Sequence, residues 1–156
     1  MVENFQLLNP FFEIIYKKDK NRHKFLTVLE GVKMVKTPYF MVVDSDDIYP
    51  EDALETLISE VEKIENQDNY VAVMGLSADE NGKIVGNQYP NNGFDGSIFE
   101  MRYKHKVRGD KFGIFITKTY QREISGKDFS QYEGKGYIPQ SVIFNEYDAK
   151  GIKTRF

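Results

Sequence analysis

Residues 39–47 read Tyr39-Phe40-Met41-Val42-Val43-Asp44-Ser45-Asp46-Asp47, five consecutive apolar side chains stopped by a cluster of carboxylates. A continuous apolar block of this length fits a central strand buried on both faces. In an extended segment, side chains two apart point the same way, so Asp44 and Asp46 are expected to converge just beyond the strand. Carboxylate oxygens select a hard divalent cation, Mg²⁺ or Mn²⁺, which keeps positions open for water and substrate phosphate. Ligands of open α/β sheets collect at the carboxyl ends of strands. The plainer reading is a solvated turn whose acids cap the next helix, but capping needs only one acid. A calcium-binding EF-hand loop does not fit, because Ile48 and Tyr49 stand where that loop wants a ligand and a glycine.

On either side of this stretch the chain alternates between helical and extended patterns. His23 to Val35 places Leu26, Val28, Leu29, Val32 and Val35 mostly at three- and four-residue steps, which predicts a helix. Pro50 opens a second helix, with Glu51 and Asp52 at its positive end and Leu54, Leu57, Ile58, Val61 and Ile64 as its apolar stripe. Tyr70 to Leu76 and Phe112 to Thr117 read as strands, and Asp79-Glu80-Asn81-Gly82 as a turn that reverses the chain before Lys83 to Val85. Gly86 to Gly96 reads as a polar surface loop, Ser97 to Lys106 as a short helix capped by Ser97, and Pro139 to Ala149 as a last helix ended by Gly151. Upstream, Phe11 to Tyr16 is dense in aromatic and β-branched residues and predicts a short buried strand followed by a turn. The expected class is α/β, a mainly parallel sheet flanked by helices.

Composition narrows the function. At 156 residues, with 40% hydrophobic side chains and twelve Phe and ten Tyr, one compact domain with a sizeable core is expected and global disorder is not. A net charge of −3 gives no overall positive field for a nucleic-acid backbone. No apolar run exceeds five residues, so no membrane-spanning helix is expected. The first residues lack the basic start and apolar stretch of a secretory signal, and the absence of cysteine removes disulfides and thiolate metal sites. These features together suggest a cytoplasmic protein.

The segment Tyr39 to Glu55, YFMVVDSDDIYPEDALE, resembles the Asp-x-Asp segment of inverting family 2 glycosyltransferases. The likeness extends in order through Pro10 to Tyr16, the helix before the strand, Arg102 to Lys111, Tyr132-Glu133-Gly134 and Tyr137-Ile138-Pro139. It covers most of the chain. The resemblance implies a partial nucleotide-diphospho-sugar transferase (GT-A-like) fold, a single domain over 1–156 that lacks the amino-terminal nucleotide-binding portion. It also implies transfer of a sugar from a nucleotide-diphosphate donor to an acceptor hydroxyl on a carbohydrate. Asp46 would hold Mn²⁺ or Mg²⁺ directly and Asp44 would contact the ribose or the metal shell, with Ser45 between them and Lys24 on the donor.

Three positions depart from that pattern. Arg22-His23-Lys24 stands where the resemblance has Gly-Gly-Lys, Glu30 stands near the place of an Asn in the helix that follows, and Gln140 stands where a carboxylate general base is expected after Tyr137-Ile138-Pro139. An amide does not accept a proton at neutral pH. Glu133, Asp128 and His23 are the nearby groups that could serve instead. Arg102, Lys104, Lys106, Arg108 and Lys111, with Tyr103 among them, form a basic stretch suited to a diphosphate or to solvent alone. Two other readings remain: a degenerate paralogue that binds carbohydrate or protein without catalysis, and a phosphatase of the haloacid dehalogenase type with Asp44 as nucleophile. The second lacks a convincing acidic pair after Tyr70 to Leu76. A sheet without its first strands would leave an open edge and favour self-association.

Overall fold

The computed structural model describes residues 7, 11, 13–18 and 20–156. Its regular elements are α1 (His23–Met34), β1 (Tyr39–Phe40), α2 (Ala53–Glu62), β2 (Tyr70–Leu76), β3 (Asp95–Gly96), β4 (Lys111–Ile116), α3 (Thr117–Ile124), α4 (Ser141–Ala149) and β5 (Lys153–Arg155). The strands form one open sheet in the order β1-β4-β2-β5-β3. The α/β class with flanking helices therefore holds. The sheet is mixed rather than mainly parallel: β2 pairs β5 in parallel, while β1–β4, β2–β4 and β3–β5 are antiparallel. Parallel neighbours need a crossover. β2 and β4 are antiparallel and need none; the chain between them runs through the small hairpin in which Ala78 bridges Ile84, through β3 at the far edge of the sheet and through a helical turn at Glu100–Lys104.

Side chains alternate across the sheet and build a core on each face. Val73, Ile114 and Ile116 meet Val61 and Ile64 at α2. Ala72, Met74 and Phe115 meet Phe25, Leu26, Leu29 and Val32 of α1, Tyr120 and Ile124 of α3, and Phe144 and Tyr147 of α4. The apolar stripe of α2 thus faces the sheet, although Leu54 at its start stays about half exposed. α4 ends as its sequence predicts: Gly151 takes φ +73, and the N–H of Ile152 reaches back to the Tyr147 carbonyl at 3.0 Å.

Two further expectations are corrected. Tyr39–Phe40 is an edge strand, not a central one; only these two residues pair, with Ile116 and Phe115. The run still contributes to both faces, Tyr39 and Met41 to the α2 side and Phe40 and Val42 to the other, because alternation persists after the ladder stops. Phe11 to Tyr16 forms no buried strand where it is described. Among the described residues, 13–18 belong to no strand, and Phe11, Ile15 and Tyr16 are 94%, 62% and 68% exposed. Apolar density predicts a strand only where an edge is available to pair with, and this segment lies along α1 instead. Pro10 and Phe12 lie outside the described residues.

The packing of α2 yields a direct check. Val61 is fully buried and Leu54 is not, so Val61→Ala is expected to lower unfolding free energy by about 1–3 kcal/mol. Leu54→Ala should stay within about 0.5 kcal/mol in the same urea titration.

Candidate functional site

The aspartates sit in a turn. The N–H of Asp47 donates to the Asp44 carbonyl at 3.2 Å, closing Asp44-Ser45-Asp46-Asp47 after the strand has ended at Phe40. The expected extension of the strand through both aspartates is therefore not what orients them, since a turn does not keep the two-residue alternation. Asp44 is half-buried and paired with the Lys24 ammonium. Asp46 and Ser45 are exposed, and Asp46 makes no ion pair or hydrogen bond among the described residues. Beneath the turn, the Tyr49 ring packs edge-on against Phe112 at 5.3 Å, which anchors the loop to β4. Its hydroxyl is buried without a partner among the described residues. Burial, then the negative charges of Asp47 and Asp44, push the phenol's pKa up, so it remains a proton donor facing the acids.

Lys24 reaches Asp44 because α1 begins there, and its two neighbours reach elsewhere. Arg22 Nη2 donates to Glu133 Oε1 at 2.7 Å. His23 Nε2 accepts the N–H of Ile138 at 3.4 Å, and its ring meets Tyr137 edge-on at 6.0 Å. Three consecutive side chains thus tie the start of α1 to the aspartate turn on one side and to residues 133–138 on the other. His23 does this from a left-handed backbone, φ +73, at a cost of about 1–3 kcal/mol for a non-glycine residue.

Glu133 and Gln140, the two residues predicted at the base position, flank this junction. Glu133 is held by Arg22, and Gln140 is exposed at the mouth of α4, its carbonyl accepting the N–H groups of Ile143 and Phe144. Tyr137 lies between them with its ring 85% exposed. Asp128 braces its own loop. Its carboxylate accepts the Ser130 N–H at 2.8 Å, and that bond holds its pKa below the usual range. The basic stretch does not converge on the site. Lys104 pairs with Glu100, and Lys111 donates to the carbonyls of Val85 and Arg108.

A groove of about 820 Å³ opens beside the junction, between residues 13–21 and α1, with Lys17, Lys18, Lys20, Arg22, Lys24 and Lys36 among its lining. A cleft of about 860 Å³ at the other end of α1, between Val35–Tyr39 and α3, holds none of the candidate residues. The cationic groove and Arg22 were not singled out as site features from the sequence. The available signal was the run of basic residues immediately before an amphipathic helix.

Residues 1–129 match the model of glycosyl transferase family 2, which spans β1, the aspartate turn and β4. The chain belongs to this family. Comparison with curated protein sequences and with solved structures finds no match. The family-2 domain carries a mixed α/β fold with one open sheet, consistent with part of a GT-A-like architecture. Among the described residues no helix is long and apolar enough to cross a membrane.

Family 2 membership raises the question of a divalent cation. Among the described residues no group of three or more metal-binding side chains comes together. A cage made wholly by protein is therefore not present there. Two neighbouring aspartates, one of them unengaged among those residues, do fit a hard cation whose remaining ligands are phosphate oxygens and water. The Lys24–Asp44 pair is too exposed, at 51% and 40%, to be a stability device. Lys24→Met is expected to change the unfolding free energy by no more than about 1 kcal/mol, measured by thermal denaturation.

Proposed function

We propose that this chain binds a nucleotide-diphosphate sugar through Mn²⁺ or Mg²⁺ and transfers the sugar to the hydroxyl of a carbohydrate acceptor with inversion. The observation that carries the reading is the contact of Lys24 with Asp44, beside an Asp46 that engages none of the described residues, within the family 2 match. Asp44 and Asp46 would hold the cation, with Ser45 on the donor. When bound, the cation supplies Lewis-acid stabilisation of the negative charge that develops on the departing diphosphate. Lys24, released from Asp44, neutralises a phosphate oxygen, and the lysines of the groove add a positive wall for the rest of the anion.

In the transfer itself, the acceptor oxygen forms a bond to the anomeric carbon as the carbon–phosphate-oxygen bond breaks. The nucleoside diphosphate leaves with that electron pair, and the acceptor proton goes to a base. Glu133 is the only carboxylate in residues 130–140 and takes that role once Arg22 yields it. Gln140 orients the acceptor hydroxyl by hydrogen bonding without taking its proton. A second reading, a paralogue that binds carbohydrate or protein without turnover, is favoured by that same amide at Gln140.

Calorimetric titration with Mn²⁺ and a panel of nucleotide-sugars tests the first reading. Binding of one donor that depends on the metal is expected, with Asp46→Asn weakening it by at least about tenfold. Equal binding with and without Mn²⁺, or none with any donor, removes the transferase assignment. Glu133→Gln is expected to lower donor turnover, read as nucleoside diphosphate release, by about 100-fold. An unchanged rate places the base elsewhere.

A further inference from the structure

The groove beside α1 follows one face of the helix from end to end. Lys24, Thr27, Gly31 and Met34, spaced three and four apart, all line it. At 1.5 Å of rise per residue, the stretch from Lys24 to Met34 spans about 15 Å, and Lys36 lies beyond it. A diphosphate is two phosphorus atoms joined through one oxygen and is far shorter. One held at Lys24 does not reach Lys36, and the nucleoside attached to it is uncharged.

The charges of the lining do not cancel. Arg22 and Lys24 are taken by Glu133 and Asp44, and Glu30 is taken by Lys33 at 2.8 Å, with Lys17 near enough to act on it as well. Lys18 and Lys36 are exposed and take part in no ion pair among the described residues. Glu13 is the remaining carboxylate of the lining, and Lys20 adds another cation to it. In a chain of net charge −3 this is a local positive field. Ile15, Tyr16 and Met34 add exposed apolar surface to the same lining. A tyrosine ring beside polar groups suits the C–H face of a sugar.

Gly31 points to an occupant independently. Glycine inside a helix costs stability relative to alanine, and here no packing requires it: a Cβ would meet no atom of the described residues within 4 Å. The bare backbone instead leaves the floor of the groove open to close approach. At the near end, Arg22 and His23 line the groove and reach Glu133 and Tyr137. A chain lying in it therefore has one end beside the proposed base.

We propose that the groove along α1 is the acceptor subsite, and that it takes an acidic glycan of the uronate kind, whose carboxylates meet Lys18 and Lys36 as its chain crosses Gly31. The word acceptor rests on the proposed transferase reading; the glycan site does not.

Calorimetric titration of the full chain with tetragalacturonate, without metal or donor, tests the site. Binding is expected and should weaken as salt is raised. The same tetrasaccharide methyl-esterified at its carboxyls should bind at least about tenfold more weakly, and Lys18→Met combined with Lys36→Met should cost about tenfold. Gly31→Gln should cost as much by filling the floor while its melting temperature rises, because glutamine is the better helix former. A purely structural glycine gives no such split, and unaltered affinity in that variant overturns the path across Gly31. No binding of tetragalacturonate, or equal binding of the methyl ester or of a thymidine tetranucleotide, overturns the acidic-glycan assignment. Displacement by equimolar inorganic pyrophosphate gives the groove to the donor and overturns it too. Metal-dependent donor binding without uronate binding overturns this inference and leaves the transferase reading. Uronate binding with no donor bound by any nucleotide-sugar overturns the transferase reading and supports the glycan site alone.

Discussion

The ladder between β2 and β4 is the constraint on which the rest of the molecule depends. Five residue pairs, Ala72–Phe115 to Leu76–Lys111, join the two strands, and β2 is the strand with a long antiparallel neighbour on one side and a parallel one on the other. The fit is close enough to require glycine at position 113, where a Cβ would lie 2.1 Å from the Val73 carbonyl oxygen. Once that ladder is fixed, the alternation of Val73 and Ile114 against Ala72 and Phe115 decides which helix covers which face. α1 is pressed onto the face that also carries α3 and α4, and Gln121 of α3 donates to the carbonyls of Val32 and Val35 at its far end. The near end is thereby aimed at both the aspartate turn and residues 133–140.

Most elements were legible because their signals are local. α1, α2, β2, β4 and α4 follow from apolar periodicity and from Pro50, Pro139 and Gly151. α3 was not, because TKTYQREI is only eight residues long and carries just two large apolar side chains, Tyr120 and Ile124, although they stand four apart on the buried face. It is buried all the same: Thr119 is fully enclosed, and Glu123 is buried with Arg122 and Lys150 on its carboxylate. Burial alone would raise that carboxyl's pKa, but the two cations outweigh it and the net shift is downward. Such pairing is long-range and leaves no periodic trace. β3 and β5 were equally silent, since strands of two and three residues exist only through their partners; Arg155 clamps Asp95 across them with two hydrogen bonds.

The candidate residues are readable in the sequence by chemical type, and their geometry is not. The sequence nominates Asp44, Asp46, Lys24, Glu133 and Gln140 by type and order, and the structure brings Lys24 to Asp44 and sets Glu133 beside them through Arg22. What it could not convey is that the aspartates occupy a turn, because the apolar run before them looks the same whether or not a strand partner continues alongside. Nor could it show that Arg22, His23 and Lys24, consecutive in the chain, diverge to three different targets.

That divergence explains why the junction is built from exposed ion pairs. A buried pair resists separation, because breaking it strands a charge in a medium of low dielectric. Lys24–Asp44 and Arg22–Glu133 both keep access to water, so each exchanges partners at a cost of about 1 kcal/mol or less. On the proposed reading, a donor arriving with its cation makes that exchange nearly neutral in charge: the cation takes Asp44, the diphosphate takes Lys24, and neither side chain is left unpaired. The arrangement stores its partners in each other and surrenders them to a ligand that presents both charges at once. A free metal ion or a free sugar presents only one of the two, or neither, and the same charge balance gives each a weaker hold.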